Sequence, residues 1–144
     1  MSQSRRKTFP QIGAEIRVPV GSASDLVTAR YQGRRLAEAS GFSPSEATRL
    51  STAIAELARN IVTYATQGEI VLRQIEDGKR RGISVVARDQ GPGIANIKVA
   101  VLDGYSTSGG LGLGLPGVRR IVDDFQIESQ PGLGTTVIVR KWRP

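Results

Sequence analysis

One strongly signalled helix limits how this chain of 144 residues can fold. Ser43 can cap its first turn, Pro44 suits the first helical position, and Glu46 can reach back to the cap. Up to about Tyr64, apolar residues recur every three or four positions; these are Ala47, Leu50, Ile54, Leu57 and Ile61. A helix with one apolar stripe must bury it against another layer of secondary structure.

Strand-like segments supply that second layer. Alternating apolar residues predict a half-buried edge strand at 16–20, interrupted by Pro19, and residues 22–40 are predicted to form a helix. The later segments, in chain order, are strands at 69–76 and 83–89 joined by a hairpin turn, a short helix to about Leu102, a helix from Pro116 through Val122 and Phe125, and strands at 126–129 and 135–142. This order predicts an α+β two-layer sandwich with a mixed, mostly antiparallel sheet and helices on one face.

The chain has the length of one domain. We divide it into a flexible N-terminal arm at 1–11 and a single domain at 12–144. Its start is polar and basic without the apolar stretch of a signal peptide, and no apolar run is long enough to cross a bilayer. We therefore expect a cytoplasmic protein that does not act at a membrane.

Composition excludes several kinds of chemistry. Because the chain has no cysteine and no histidine, disulfides, thiolate nucleophiles and histidine acid–base catalysis are ruled out, and no zinc site is expected. Catalysis must then rest on carboxylates, hydroxyls and metal-bound phosphates. The net charge of +7 suits nucleic acid, an anionic membrane, or acidic partners and phosphates. Since the basic residues are scattered and aromatic residues are few, we favour the last and expect no nucleic acid partner.

Two polar side chains fall on the rim of the long helix. Glu56 and Asn60 are four residues apart and therefore share a face, beside the apolar positions Leu57 and Ile61. A glutamate and an asparagine at this spacing are more often ordinary solvated helix residues. The spacing by itself therefore proves little.

A glycine loop follows the second strand of the predicted hairpin. It contains Asp89, Gly91, Gly93 and Ile94, and its glycines let the backbone approach a flat ligand closely. A buried carboxylate at its start can accept a hydrogen bond from an exocyclic amine such as that of adenine. A plain tight turn that begins with aspartate has the same pattern, so both interpretations stay open at this point.

A second glycine-rich stretch, residues 106–115, leads into the helix that Pro116 is expected to open. Free backbone N–H groups ahead of a helix N-terminus, together with the helix dipole, favour phosphate. A flexible linker is the alternative. The stretch has neither a complete dinucleotide fingerprint nor the Lys-Ser/Thr ending of a Walker loop, so neither of those phosphate sites is predicted.

Taken together and in this order, the motifs resemble the GHKL superfamily of ATP-binding domains, found in histidine kinases, type II topoisomerases and the small anti-sigma-factor serine kinases. The resemblance spans residues 45–140 and implies a Bergerat-type ATP-binding fold. The stretches around Asn60, Asp89 and 106–118 are most similar to the switch serine kinases of bacterial stressosomes. The positions that match the superfamily motifs are Glu56 and Asn60; Asp89, Gly91 and Gly93; Gly110, Gly112 and Gly114; and Gly132, Gly134 and Thr135.

The resemblance implies ATP and Mg²⁺ as cofactors and suggests a role for each motif. Glu56 would be the catalytic residue that orients or deprotonates the nucleophile, and Asn60 would ligate Mg²⁺. Asp89 would read the adenine amino group, and Thr135 would support that contact. The other residues implied to bind the nucleotide are Gly91, Gly93, Ile94, Ser108, Gly109, Gly110, Leu111, Gly112 and Gly114.

The implied activity is that of a protein serine/threonine kinase acting as a partner switch in stress signalling. Its substrate would be a STAS-type anti-sigma antagonist or a stressosome scaffold protein, and a downstream phosphatase is a further suggested partner. Two alternatives are an anti-sigma factor that binds a sigma subunit directly, and a non-catalytic module that changes partners with its bound nucleotide. Arg59 beside Asn60, with the short Ser-Thr-Ser segment at 106–108, resembles the stressosome branch more than the anti-sigma branch. We therefore favour the kinase, and leave the oligomeric state open.

Overall fold

The computed structural model of the chain describes residues 9–92 and 114–144. Within them, five strands, three α-helices and one π-helical segment follow the predicted order. The strands are β1 (Gln11–Val20), β2 (Gly68–Asp77), β3 (Arg80–Asp89), β4 (Asp124–Gln130) and β5 (Gly134–Trp142). The α-helices are α1 (Ala23–Ala39), α2 (Pro44–Asn60) and α3 (Gly114–Ile121), and the π-helical segment is Ile61–Ala65.

The strands form one sheet in the order β1-β2-β3-β5-β4, and each described pairing is antiparallel. The predicted α+β architecture is thus confirmed. The sheet was expected to be mixed and mostly antiparallel, and in the described part every strand pair is antiparallel. β1 is an edge strand, as predicted, but it is longer than expected. Because the register shifts between Ile12 and Ile16, the alternation of apolar residues does not reveal where this strand begins. Pro19 does not interrupt the strand, since it pairs with Glu69.

The core lies between one face of the sheet and the helices. The apolar stripe of α2 is fully buried, and Ile54 packs closely against α1 at Gly33. A Cβ atom on Gly33 would lie 2.2 Å from Cδ1 of Ile54, so a larger residue at this position would force the end of that side chain to move. The central strands contribute the opposing apolar side chains, chiefly Ile70, Leu72, Ile83, Val85 and Val139.

The other face of the sheet is covered by charged side chains. Val71, Val86 and Ile138 are buried there in a small separate cluster. Glu69 receives hydrogen bonds from Arg17 at 3.1 Å and from Arg88 at 3.3 Å, on the same face as Val71. A second glutamate, Glu15, pairs with Arg17 and Arg73. The long arginine stems thus shield apolar side chains that none of the described helices covers.

The prediction for the last helix needs correction. It begins at Gly114, before Pro116, and ends at Ile121, whereas Phe125 lies in β4. The chain turns into the sheet at once, since the N–H of Asp123 donates to the carbonyl of Arg140 at 2.9 Å. The apolar residues at 121, 122 and 125 are compatible with a helix that continues to 125 and also with a helix that ends earlier and is followed by a strand. This ambiguity explains the error. The short helix expected to end near Leu102 lies outside the described residues.

The first described residues are attached to the sheet. The ring of Phe9 meets that of Trp142 edge-on, with centroids 5.0 Å apart, and the carbonyl of Pro10 accepts a hydrogen bond from Glu76 at 3.1 Å. Residues 1–8 of the predicted arm lie outside the described residues. Within residues 9–92 and 114–144, no helix is long and apolar enough to span a bilayer.

Candidate functional site

The end of α2 brings Glu56 and Asn60 to one face, as their spacing predicts. The cap fixes where the helix begins, because the N–H of Glu46 donates to the hydroxyl of Ser43 at 3.2 Å. Glu56 is only 7% exposed, whereas Asn60 is half-buried. Glu56 is therefore no solvated surface residue. A carboxylate at this depth is unfavourable unless polar groups contact it.

Two groups of the described residues contact the Glu56 carboxylate. Its Oε2 accepts a hydrogen bond from the N–H of Gly114, the first residue of α3, at 3.3 Å. Its Oε1 lies 3.5 Å from the guanidinium of Arg59. A negative group at a helix N-terminus is stabilised by the free N–H groups and by the helix dipole. Glu56 thus links the end of α2 to the start of the helix that follows the second glycine-rich stretch.

The helix changes its winding directly after Asn60. Residues Ile61–Ala65 form a π-helical turn, which replaces the continuous α-helix predicted to Tyr64. Such turns are rare in proteins as a whole, but those that occur are often found at functional sites. Thr66 ends the segment with a φ of 71°, a strained value for a β-branched residue. A β-branched residue gives no sequence signal for this conformation, so the turn could not be predicted.

The π-helical turn ends against the first glycine loop. A Cβ atom on Gly91 would lie 2.5 Å from Cβ of Ala65 and 2.8 Å from its Cα. Only glycine fits at that position without movement of the neighbouring backbone. Ala65, five residues after Asn60, therefore joins the end of the helix to the loop after β3.

Asp89 lies at the end of β3, where the sequence predicts it. Its Oδ1 accepts a hydrogen bond from the N–H of Gly91 at 2.9 Å, which holds the loop in a turn. Asp89 pairs with Gly68 on one side and Thr135 on the other. A Cβ atom on Gly134 would lie 2.2 Å from the carbonyl oxygen of Asp89, so the start of β5 can pass this close only as glycine. The tight-turn and ligand interpretations of Asp89 are compatible, because one carboxylate oxygen makes the turn.

Thr135 is half-buried beside Asp89. Its hydroxyl lies 2.8 Å from that of Ser129 on β4. The final Gly-x-Gly-Thr motif thus positions Thr135 next to Asp89, as the resemblance implies. Its hydroxyl also has a second role, since it joins the last two strands.

A cleft of about 470 Å³ opens next to Asp89. Residues 65–69 and 88–90 line it, so its walls come from the last residue of the π-helical turn, the start of β2 and the end of β3. Its volume lies in the range of small-molecule sites. Arg88 and Glu69 are hydrogen-bonded to each other at its rim.

The structure therefore describes six of the predicted site residues, namely Glu56, Asn60, Asp89, Gly91, Gly114 and Thr135. It joins Glu56 to Gly114, and Asp89 to Gly91 and Thr135. The remaining seven, Gly93, Ile94, Ser108, Gly109, Gly110, Leu111 and Gly112, lie outside the described residues. The contact of Arg59 with Glu56 was not predicted, although an arginine three residues after a glutamate is a recognisable helical pair.

A five-stranded antiparallel sheet with helices on one face, and a Glu–Asn helix end near an Asp–Gly strand end, is the arrangement of GHKL ATP-binding domains. The family model for histidine kinase-, DNA gyrase B- and HSP90-like ATPases matches residues 45–144, and the chain belongs to this family. The predicted resemblance is confirmed.

Individual relatives give a more specific comparison than the family model does. The chain is 48% identical over 118 residues to the serine/threonine-protein kinase RsbT of Bacillus subtilis, covering 82% of this chain and 89% of that protein. It is 29% identical over 100 residues to an anti-sigma F factor of Clostridium kluyveri, covering 67% of this chain and 70% of the relative. The predicted enzyme class, a protein serine/threonine kinase, agrees with the first relative.

A solved structure supports the fold independently. The mycobacterial sensor histidine kinase MprB aligns with a TM-score of 0.52 over 90% of this chain and 99% of that chain, at 19% identity. At this identity the similarity concerns the fold alone.

Proposed function

We propose that this chain is an ATP-dependent kinase that phosphorylates a serine or threonine of a STAS-type antagonist or scaffold protein, and so switches partners in stress signalling. The 48% identity to a serine/threonine-protein kinase supports the activity. The structural observation that carries the proposal is the burial of Glu56 beside Asn60, at the N-terminus of α3. Because ATP is supplied in the cytoplasm, such a kinase would act there.

Asp89 is proposed to bind the adenine amino group. Its Oδ1 makes the turn with Gly91, and within residues 9–92 and 114–144 no hydrogen bond to Oδ2 is found, which leaves that oxygen for a donor from the ligand. The cleft beside Asp89, of about 470 Å³, lies in the volume range of small-molecule sites. Thr135, its neighbour across the strand pair, lies where it can support that contact.

Asn60 is proposed to bind Mg²⁺ through its side-chain oxygen. Among the described residues no cluster of three or more His, Cys, Asp or Glu side chains could hold a metal ion by itself. Mg²⁺ bound with ATP usually takes most ligands from phosphates and water, and needs one or two protein oxygens. An amide oxygen one helical turn from a buried carboxylate fits that requirement. The ion would neutralise charge on the phosphates during transfer.

Glu56 is proposed to act as the general base. The acceptor hydroxyl gives its proton to the carboxylate as its oxygen bonds to the γ-phosphorus, and the bond to the β-phosphate oxygen breaks to release ADP. The chain contains no histidine that could take this role. Burial also excludes water, which would compete with the acceptor as a nucleophile.

Incubation with radiolabelled ATP and purified candidate antagonist domains tests the proposal. We expect label on serine or threonine of the acceptor with the wild-type chain. Glu56→Gln should bind ATP but transfer about 10²- to 10⁴-fold more slowly. Arg49→Gln is the matched control, because Arg49 is an exposed residue of the same helix. Transfer by Glu56→Gln at the wild-type rate would remove Glu56 from the mechanism.

An anti-sigma factor is the second candidate, favoured by the 29% identity to an anti-sigma F factor. The same assay separates the two functions when a sigma subunit is added. Retention of the sigma subunit without labelling of any acceptor domain would favour the anti-sigma function and contradict the kinase proposal.

A further inference from the structure

Arg59 stands between the two proposed functional residues of α2. It follows Glu56 by three residues and precedes Asn60 by one, and its guanidinium lies 3.5 Å from Oε1 of Glu56. The other carboxylate oxygen, Oε2, accepts the hydrogen bond from Gly114. The two oxygens therefore have different neighbours, one from α2 and one from α3.

The two members of this ion pair differ in exposure. The Glu56 side chain is 9% exposed, whereas that of Arg59 is 43% exposed. Arg59 can therefore stay hydrated while it contacts a carboxylate that has little access to water. A glutamate side chain has three rotatable bonds, and a contact on one oxygen restricts where the other oxygen points.

We propose that Arg59 is a positioning residue that holds Oε1 of Glu56 and so keeps Oε2 directed at the N-terminus of α3. The inference rests on the proposed role of Glu56 as the proton acceptor. In that role, an ionised carboxylate in one orientation is ready to accept the proton of the acceptor hydroxyl, whereas a mobile one must first be reoriented. Arg59 makes no contact with the reacting atoms in this scheme.

A direct phosphate contact is the competing role for an arginine at this place. Arginine binds phosphate oxygens readily, and a half-exposed guanidinium could reach a ligand in the site. The two roles differ in what they change. Loss of a phosphate ligand weakens ATP binding, whereas loss of a positioning residue slows transfer and leaves ATP binding intact.

The first test uses the amide signal of Gly114 in the ¹H–¹⁵N spectrum of the ligand-free chain. Glu56→Gln defines how far this signal moves when the charged acceptor is lost. We expect Arg59→Gln to move it in the same direction by about half that amount or more, because the weakened Glu56 contact is transmitted to Gly114. Arg59→Lys should restore most of the wild-type position, and Arg49→Gln should leave the signal unchanged. An unmoved Gly114 signal in Arg59→Gln would overturn the inference.

The second test measures transfer. Arg59→Gln should lower kcat by about tenfold or more while the dissociation constant for ATP stays within about twofold of wild type, and Arg59→Lys should recover part of kcat. A parallel loss of ATP affinity would assign Arg59 to the phosphates and overturn the inference. If the wild-type chain labels no acceptor, the proposed kinase function fails, and the Gly114 signal still decides whether Arg59 positions Glu56.

Discussion

At the scale of single residues, the three polar side chains of the candidate site are engaged to different degrees. Glu56 contacts groups on both of its oxygens. Asp89 uses one oxygen for Gly91, and Asn60 makes no hydrogen bond to another side chain in the described part of the chain. The residue proposed for catalysis is thus held in place by the protein, whereas those proposed for ligand contacts keep acceptor atoms for the ligand.

Asp89→Asn should weaken ATP binding by about 1–3 kcal/mol, as expected for a hydrogen bond to a half-buried charged group. Isothermal titration calorimetry measures the change. Asp77→Asn, at the end of β2 far along the strand from Gly68, is the control and should bind as the wild type does. A wild-type dissociation constant in Asp89→Asn would refute the adenine contact.

Asn60→Ala should weaken Mg-ATP binding far more than binding of metal-free ADP, because the lost oxygen contacts the ion and not the base. Titrations with and without magnesium chloride give the two affinities. Thr63→Ala changes an exposed side chain of the π-helical turn and controls for general effects there. Equal losses for both ligands would count against Asn60 as a metal ligand.

At the scale of elements, three backbone segments meet around Asp89. The π-helical turn abuts Gly91, and β2 begins beside Asp89 at Gly68. β5, which follows the turn at 131–133, begins at Gly134 against the carbonyl of Asp89. The N–H of Gly132 in that turn also donates to the carbonyl of Pro92 at 2.7 Å. Glycines at these positions allow the close backbone contacts. The position of the Asp89 carboxylate is therefore set by the strand ends and not by flexible side chains.

Gly134→Ala should destabilise the fold more than Gly132→Ala. Both glycines have positive φ values, of 89° and 80°, so both substitutions carry the backbone cost of about 1–2 kcal/mol. Only at 134 does the new Cβ meet backbone, whereas at 132 no atom of the described residues lies within 4 Å. The crowding should add about 1–3 kcal/mol, measured by urea unfolding. Equal unfolding free energies for the two variants would contradict the close approach to Asp89.

At the scale of the whole molecule, the sheet has two differently covered faces. Helices bury one, and the arginine–glutamate network covers the small apolar cluster on the other. Burial acts to raise the pKa of Glu15, but the hydrogen bond from Arg73 and the charges of Arg17 and Arg73 outweigh it and leave the pKa below its usual value. The stability that this carboxylate contributes is therefore present above its unfolded-state pKa and is lost as the pH falls towards its folded-state pKa.

Thermal unfolding between about pH 6 and pH 3 tests this linkage. The Tm of the wild type should fall as Glu15 becomes protonated, and Glu15→Gln should show a shallower fall, because it lacks the titrating group. Glu38→Gln, on the exposed side of α1, should follow the wild-type curve. Parallel curves for Glu15→Gln and the wild type would show that Glu15 contributes no pH-dependent stability.

The sequence predicted the parts of the fold that local signals define. The cap at Ser43 fixed the start of α2, and the spacing from it placed Glu56 and Asn60 on one face. The start of β1 and the end of α3 were missed, because a register shift and tertiary pairing decide them. The strained Thr66 depends on how α2 meets β3, and no local pattern encodes that packing. The Arg59 contact, by contrast, follows the local i, i+3 pattern of a helix and was overlooked.

The packing of Phe9 on Trp142 has a practical consequence for spectroscopy. Trp142 is the sole tryptophan of the chain, it is 7% exposed, and the guanidinium of Arg80 lies 4.1 Å from its ring centre. It lies at the opposite end of β5 from Thr135, about 23 Å away at the rise of an extended strand. Intrinsic fluorescence should therefore report release of the chain's beginning and melting of the sheet, and remain silent when nucleotide enters the cleft.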